Sequence, residues 1–191
     1  MIRSTTVAAL VLAGAIAGCQ SSGQSSGESS ASSAGGDTAV VGAASDATRA
    51  QLIGRVAALE GEWEMKGEND EVSTIVYAVS SGGSAVREIM FPGTGHEMTN
   101  MYHMDGDALV MTHYCAGANQ PRMRATAADS TAEMIAMKFD SVTDLNPAEP
   151  YYMGAMTLVF HGPDRIEQRW TSYKTEGGEA GNVSFMLTRV K

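Results

Sequence analysis

The sequence predicts an all-β domain, an antiparallel meander closed into a barrel of eight to ten strands, with one short helix before it. Three observations indicate this fold. Most of the chain after residue 60 alternates apolar and polar residues, the period of a half-buried strand. Gly, Pro, Asn and Asp interrupt the alternation at short intervals. No helical pattern separates these segments, so neighbouring strands should pair antiparallel, and closing the meander removes its exposed edges.

The first residues predict export. Arg3 supplies a positive charge and residues 7–17 form a run of small apolar side chains. This run is too short for a bilayer span, which needs about 20 apolar residues. We therefore expect residues 1–18 to be a cleaved signal peptide. Residues 16–18 lead directly into Cys19. The alternative is an ordinary secretory signal peptide that is followed by a cysteine by chance.

The segment Ile-Ala-Gly-Cys at residues 16–19 resembles the lipobox of bacterial lipoproteins. The resemblance implies that Cys19 becomes the mature N-terminus and carries diacylglycerol and an amide-linked acyl chain. Several acyl chains together anchor a protein durably to a membrane. Because Gln20 rather than Asp follows the cysteine, the resemblance further implies the outer membrane of the cell envelope in a Gram-negative cell.

Residues 19–45 are expected to form a tether. Residues 20–36 are almost entirely Ser, Gly, Ala, Gln and Glu, and such a segment buries too little apolar surface to fold. Residues 38–44 are small and mildly apolar, and we place them in the same segment. Residues 46–191 then have the length of one domain.

Composition restricts the partners. Thirteen Lys and Arg residues stand against 22 Asp and Glu, for a net charge of −9, and no basic stripe is present, so nucleic acid is not an expected partner. With Cys19 lipidated, Cys115 has no internal disulfide partner. The 13 methionines and the aromatic content of 6% predict a core filled largely by methionine.

The elements follow in order from this pattern. Asp46 is expected to cap a helix over residues 47–59 that places Leu52, Val56 and Leu59 on one face. Asp105-Gly106 between two alternating runs predicts a two-residue hairpin turn. The ten candidate strands are residues 61–67, 73–80, 85–91, 97–104, 107–115, 122–128, 133–142, 155–161, 165–174 and 183–190.

Residues at the two ends of the predicted domain resemble the calycins, the group of lipocalins, fatty-acid-binding proteins and nitrobindins. Gly61 and Trp63, at the head of the first strand after a short helix, match their Gly-x-Trp signature. Arg189 matches the basic residue of their last strand, which packs across the tryptophan. The resemblance implies a calycin-like barrel braced by these three residues, with a small, largely apolar ligand inside. The run at residues 113–123 also resembles uncharacterised bacterial lipocalin-like proteins, which adds no known activity.

One hairpin carries most of the chemically versatile side chains. If residues 105–106 form the turn, Met98 lies opposite His113. By the same count His96 lies opposite Cys115. These side chains share one face because the period of a strand is two, and the apolar residues around them make it the inner face. The residues predicted to bind the ligand are Met98, Asn100, Tyr102, Met111, His113 and Cys115.

Two alternatives remain open at this point. His96, Met98, His113 and Cys115 form a soft donor set suited to copper or zinc, although such side chains on an inner face are more often packing. A barrel filled by its own methionines would instead be a structural envelope protein. No cofactor is firmly implied, and no catalytic motif is recognisable. Asn100 stands where the second histidine of a His-Glu-x-x-His motif is required, so that motif is rejected. Because no catalytic motif is recognisable, the protein is not expected to be an enzyme.

Overall fold

Ten antiparallel strands close into one barrel in the computed structural model, which describes residues 40–66 and 71–190. Each strand pairs with its neighbours in sequence, and the first pairs with the last, so the predicted fold class is confirmed. The strands are β1 (Gly61–Lys66), β2 (Val72–Ser80), β3 (Ala85–Met90), β4 (Met98–Asp105), β5 (Ala108–Tyr114), β6 (Gln120–Thr126), β7 (Met134–Thr143), β8 (Tyr151–Phe160), β9 (Arg165–Lys174) and β10 (Glu179–Arg189). The predicted signal peptide, Cys19 and most of the predicted tether lie outside the described residues.

The predicted N-terminal helix is two short helices, α1 (Asp46–Gln51) and α2 (Ile53–Ala57), broken at Leu52. Ser45 rather than Asp46 caps α1, since the Ser45 hydroxyl accepts the Thr48 amide at 3.1 Å. Leu52 and Ile53 are both buried. Successive residues of a continuous helix point about 100° apart, so the break allows both to reach the core. Neither helix in the described part of the chain has the length and apolar character needed to span a bilayer.

The barrel has two distinct ends. We call the end that begins at Gly61 and contacts α2 the base. We call the opposite end the mouth; it includes the connections at residues 91–97, 115–119, 144–150 and 175–178. Two further connections, at the base, contain the 3-10 turns Ser81–Gly83 and Ala127–Asp129.

Trp63 and Arg189, the pair predicted from the sequence, pack against each other at the base. The guanidinium of Arg189 lies over the ring of Trp63, 4.4 Å from its centroid. It also donates to the carbonyl oxygens of Glu60 at 2.8 Å and Ala58 at 3.0 Å, at the end of α2. Gly61 has a φ of +130°, and a Cβ there would lie 3.3 Å from the guanidinium. The expected structural pairing of Trp63 and Arg189 is confirmed.

The register of the β4–β5 hairpin differs from the prediction. The turn is Gly106-Asp107, with Asp105 opposite Ala108, so every cross-strand pair is displaced by two residues. Gly106 takes the first central position with a φ of +58°, as in a type II′ turn. Asn100, not Met98, therefore pairs with His113. Because side chains alternate with a period of two, a displacement of two keeps each on its predicted face.

Two strands begin well before their predicted starts at the mouth. β8 starts at Tyr151 and β10 at Glu179, each four residues before its predicted start. The register shifts between Met153 and Ala155 in β8 and between Glu179 and Gly181 in β10, which breaks the alternation that the prediction relied on. These extensions build the part of the mouth where the candidate site lies.

Candidate functional site

Side chains fill the central section of the barrel. The large side chains that are almost fully buried come from most of the strands, and methionine is the most frequent among them, as the composition predicted. They include Trp63, Ile75, Tyr77, Met90, Tyr102, Leu109, Met111, Met123, Ile135, Met137 and Met156. Of the predicted ligand-binding residues, Asn100, Tyr102 and Met111 lie within this packed section.

A buried carboxyl group organises the polar side chains of the interior. Glu88 on β3 is 0% exposed, and its Oε2 accepts the Tyr102 hydroxyl at 2.6 Å and the Asn100 amide at 2.8 Å. Its Oε1 accepts the Gln168 amide at 2.6 Å. Burial raises the pKa of Glu88, and the hydrogen bonds that it accepts offset only part of that rise. The sequence analysis missed Glu88, although it has the same strand parity as the buried Met90.

The network continues across the barrel to β9. The Gln168 amide nitrogen also donates to the Tyr77 hydroxyl at 2.6 Å, and Trp170 Nε1 donates to Gln168 Oε1 at 3.1 Å. These bonds tie β2, β3 and β9 together through side chains that are fully or almost fully buried. A satisfied network of this kind holds its members in one arrangement.

His113 on β5 connects this network to the mouth. Its Nδ1 lies 2.7 Å from Asn100 Oδ1, and since the Asn100 amide nitrogen donates to Glu88, the oxygen is the acceptor. Nδ1 therefore carries the proton. Burial lowers the pKa of His113 to about 4, so the ring is neutral near pH 7 and Nε2 holds a lone pair. None of the described residues donates a hydrogen bond to Nε2.

A small cavity of about 40 Å³, which we call the inner cavity, adjoins His113. The rings of His113 and Trp170 lie 5.0 Å apart between centroids, and both contribute to its wall. The remaining lining residues are apolar: Met90, Met98, Met153, Val183 and Phe185. The inner cavity therefore joins one neutral nitrogen acceptor to an apolar wall rich in thioethers.

A larger cleft of about 210 Å³, the mouth cleft, opens at the ends of β5, β6, β8 and β9. It shares Met153 with the inner cavity. Its other lining residues are Cys115, Gly117, Asn119, Glu149, Tyr151, Tyr152 and Ser172. Its surface is mainly apolar, which suits an apolar occupant.

Asn119 in the mouth cleft holds an unpaired acceptor. The residue is 4% exposed, and its side-chain amide nitrogen donates to the Tyr151 carbonyl at 3.2 Å. Its Oδ1 is buried and accepts no hydrogen bond from the described residues. A buried acceptor without a donor costs about 1–3 kcal/mol, so Oδ1 would gain from a donor brought by a ligand or by water. Nothing in the loop sequence distinguishes Asn119 from an ordinary turn residue.

The structure separates the predicted soft-metal set. His96 is exposed in the turn before β4, and Cys115 lies after β5 on the mouth cleft, while Met98 and His113 line the inner cavity. Within the described ranges, no three or more His, Cys, Asp and Glu residues form a group that could hold a metal. The four-residue set of His96, Met98, His113 and Cys115 was wrong because of the displaced register and because β4 begins only at Met98.

The predicted ligand-binding residues thus fall into three places. Met98 and His113 line the inner cavity, Cys115 lines the mouth cleft, and the rest lie below both in the packed section. Their contact with a ligand stays a prediction. No protein-family model matches the chain, and no curated protein matches it.

Proposed function

We propose that this protein is a binding protein of the cell envelope, a lipid-anchored calycin-like barrel that takes up a small, largely apolar molecule at its mouth. The apolar cleft carries the proposal, together with its lining residue Asn119, whose buried Oδ1 accepts no hydrogen bond from the described residues. An apolar wall with a few convergent polar groups is what a small-molecule site requires. The closed barrel is compatible with the calycin type of ligand-binding fold.

The dimensions of the mouth cleft restrict the occupant. Its volume of about 210 Å³ is below the ~300–1,000 Å³ typical of drug-sized ligands. The occupant is therefore a compact molecule, or one end of a longer molecule whose remainder lies outside. Because Asn119 Oδ1 can only accept, the buried end carries an O–H or N–H group.

The packed section below restricts the depth of binding. Asn100 and Tyr102 both donate to Glu88, so a ligand that displaced them would leave buried polar groups unpaired. The ligand consequently rests above them, against Tyr151, Tyr152 and Met153 of β8.

Paired probes test the site. We expect 1-hexanol to bind more tightly than methyl pentyl ether, which has the same heavy atoms but no donor. One hydrogen bond to a buried acceptor is worth about 1 kcal/mol, or about a fivefold difference in Kd. Binding is read as slower alkylation of Cys115 by iodoacetamide, with Cys19 replaced by serine. Equal protection by the alcohol and the ether would contradict the role of Asn119.

Matched glycine variants locate the binding. A Cβ at Gly117 would lie 3.6 Å from Cys115 Sγ, an ordinary contact, so Gly117→Leu extends a side chain into the mouth cleft without backbone strain. Gly95 lies in another mouth turn with open space around its Cβ position, and Gly95→Leu is the control. The proposal requires that Gly117→Leu abolish probe binding and that Gly95→Leu leave it unchanged.

The membrane anchor is a separate part of the proposal and is supported by the sequence alone. Mass spectrometry of the N-terminal peptide should find diacylglycerol and an amide-linked acyl chain on Cys19. Cys19→Ala should move the protein from the membrane fraction to the soluble fraction. An unmodified Cys19 in protein isolated from cells that process lipoproteins would contradict the anchor without touching the binding site.

The packed interior favours a second candidate function, a structural envelope protein whose barrel holds no ligand. Organic extraction of the purified protein followed by mass spectrometry separates the two functions. An extracted molecule present at about one equivalent supports binding. An empty extract together with no protection of Cys115 by either probe supports the structural role.

A further inference from the structure

Methionines from three strands meet a histidine at the inner cavity. Met90 comes from β3, Met98 from β4 and Met153 from β8, while His113 projects from β5. Their sequence positions are far apart, and only the closed barrel brings them together. Thioether sulfur and neutral imidazole nitrogen are soft donors that favour Cu(I) over Mg²⁺ or Ca²⁺, which take oxygen ligands.

His113 is prepared as a ligand. Its Nδ1–H is committed to Asn100 Oδ1, which fixes both the tautomer and the orientation of the ring. Asn100 is itself held by Glu88, so the histidine is supported by a second and a third residue. This is the arrangement by which proteins orient histidines that bind metals through the other nitrogen. The lone pair on Nε2 is not used by any described residue.

The size of the inner cavity limits its occupant. A volume of about 40 Å³ is close to the ~30 Å³ that one water occupies in the liquid. It leaves room for a single small ion among the lining side chains. Its wall contains no carboxylate and no thiol, so a hard or doubly charged ion would find no compensating charge.

We propose that the inner cavity binds one Cu(I) ion through His113 Nε2 and the sulfur atoms of Met98 and Met153. Met90 is not assigned as a ligand, because its sulfur lies 3.5 Å from the Asn100 amide nitrogen and accepts a hydrogen bond from it. Trp170 closes the site beside His113, where its ring lies 5.0 Å from the imidazole. The site adjoins the mouth cleft, with which it shares Met153, but it does not include Cys115 or Asn119.

The test uses the full chain with both cysteines replaced, Cys19→Ser and Cys115→Ser, so that no thiol can bind the metal. Under anaerobic reducing conditions, Cu(I) is titrated against the chromophoric chelator bicinchoninate. We expect one equivalent to bind and the fluorescence of Trp170 to be quenched. Absence of stoichiometric binding in this thiol-free protein would overturn the proposal.

Conservative variants on that background assign the ligands. His113→Asn keeps a nitrogen that donates to Asn100 but removes the Nε2 lone pair, and Met98→Leu and Met153→Leu keep the apolar volume. Each should weaken Cu(I) binding by about tenfold or more, since even loss of a supporting residue costs a metal site ~10–100-fold. The control is Met186→Leu, a half-exposed thioether on β10 outside the inner cavity, which should change nothing. Urea midpoints near that of the parent show that a variant is folded.

A second readout reports on the sulfur atoms themselves. Ag(I), a redox-inert substitute for Cu(I), is added to protein with carbon-13 labels on the methionine methyl groups. The Met98 and Met153 signals should shift together at one equivalent, before Met186 responds. A shift of Met186 first, or retained affinity in the Met98→Leu Met153→Leu double variant, would assign the metal to surface methionines and reject the site.

Discussion

Replacing Tyr102 by phenylalanine removes one hydroxyl and tests the buried network directly. The hydroxyl donates to Glu88 Oε2 over 2.6 Å, and both residues are 0% exposed. Phenylalanine preserves the packing of the ring, so the change in the free energy of unfolding reports the hydrogen bond. The loss is about 0.5–1.5 kcal/mol if Glu88 is neutral and about 1.5–3 kcal/mol if it is charged.

The pH dependence of this loss follows from the raised pKa of Glu88. Burial raises that pKa above the ordinary value of 4.5, so the folded protein retains the proton to a higher pH than the unfolded chain does. The stability contributed by this carboxyl is complete below pH 4.5 and declines as the pH rises through the folded pKa. The hydrogen bond from Tyr102 lowers the pKa of Glu88, so loss of this bond raises that pKa further. The pH range over which stability declines then becomes wider. The cost of Tyr102→Phe should therefore be larger at about pH 8 than at about pH 4.

Urea denaturation at these two pH values measures the difference, and the titration of His113 cancels because both proteins contain it. Tyr152→Phe, a ring at the mouth whose hydroxyl bonds to no described residue, is the matched control and should cost less than about 0.5 kcal/mol. The reasoning is refuted if Tyr102→Phe costs no more than the control. It is also refuted if the cost does not increase with pH.

Further variants probe three places in the barrel: the base, the mouth and His113. Arg189→Met should cost about 2 kcal/mol in urea denaturation, because it removes a cation–π contact and hydrogen bonds to the carbonyl oxygens of Glu60, Ala58 and Pro163. Arg189→Lys should restore less than half of that loss. Gly154→Ala would place a Cβ 2.5 Å from the Tyr173 ring and should lower stability by about 1–3 kcal/mol, whereas Gly117→Ala makes only ordinary contacts and should be near neutral. His113 has a folded pKa of about 4 against 6.5 unfolded, so the protein loses up to about 3 kcal/mol of its stability as the pH falls through that range. That acid loss should disappear in His113→Asn, as followed by urea midpoints against pH.

The fold and the faces of its strands could be predicted because both are local properties of the pattern. Alternation in β4 places Asn100 and Tyr102 on the same face of the sheet. A register error of two residues leaves them on that face, because side chains alternate with a period of two. The Trp63 and Arg189 pairing could also be predicted, since the two positions begin and end one closed meander.

The register could not be obtained from the same pattern. Asp105-Gly106 is the stronger turn signal in isolation, but the chain uses Gly106 as the first central residue of its turn. The choice between two turns that preserve the faces depends on which residues meet across the barrel. Pairing Asn100 with His113 completes a buried network, and that gain is not local to the hairpin.

Glu88 was missed because a charged residue type is not expected at a buried position. Val86 and Met90 share its face and are buried, so the strand pattern pointed inward, but a glutamate is almost never fully buried without partners. Its partners Tyr102 and Gln168 lie 14 and 80 residues away in sequence. Long-range partners of this kind appear only when the barrel closes.

The packed interior confines the proposed binding to the mouth of the barrel. A ligand reaching Glu88 would displace Asn100 and Tyr102 and leave buried donors unpaired, at about 1–3 kcal/mol each. The inner cavity and the mouth cleft require no such displacement, because neither is lined by Glu88, Asn100 or Tyr102. The network instead holds His113 in one tautomer and one orientation. A substitution that loosens the network should therefore weaken binding at the inner cavity even when the replaced residue touches neither the ion nor the ligand.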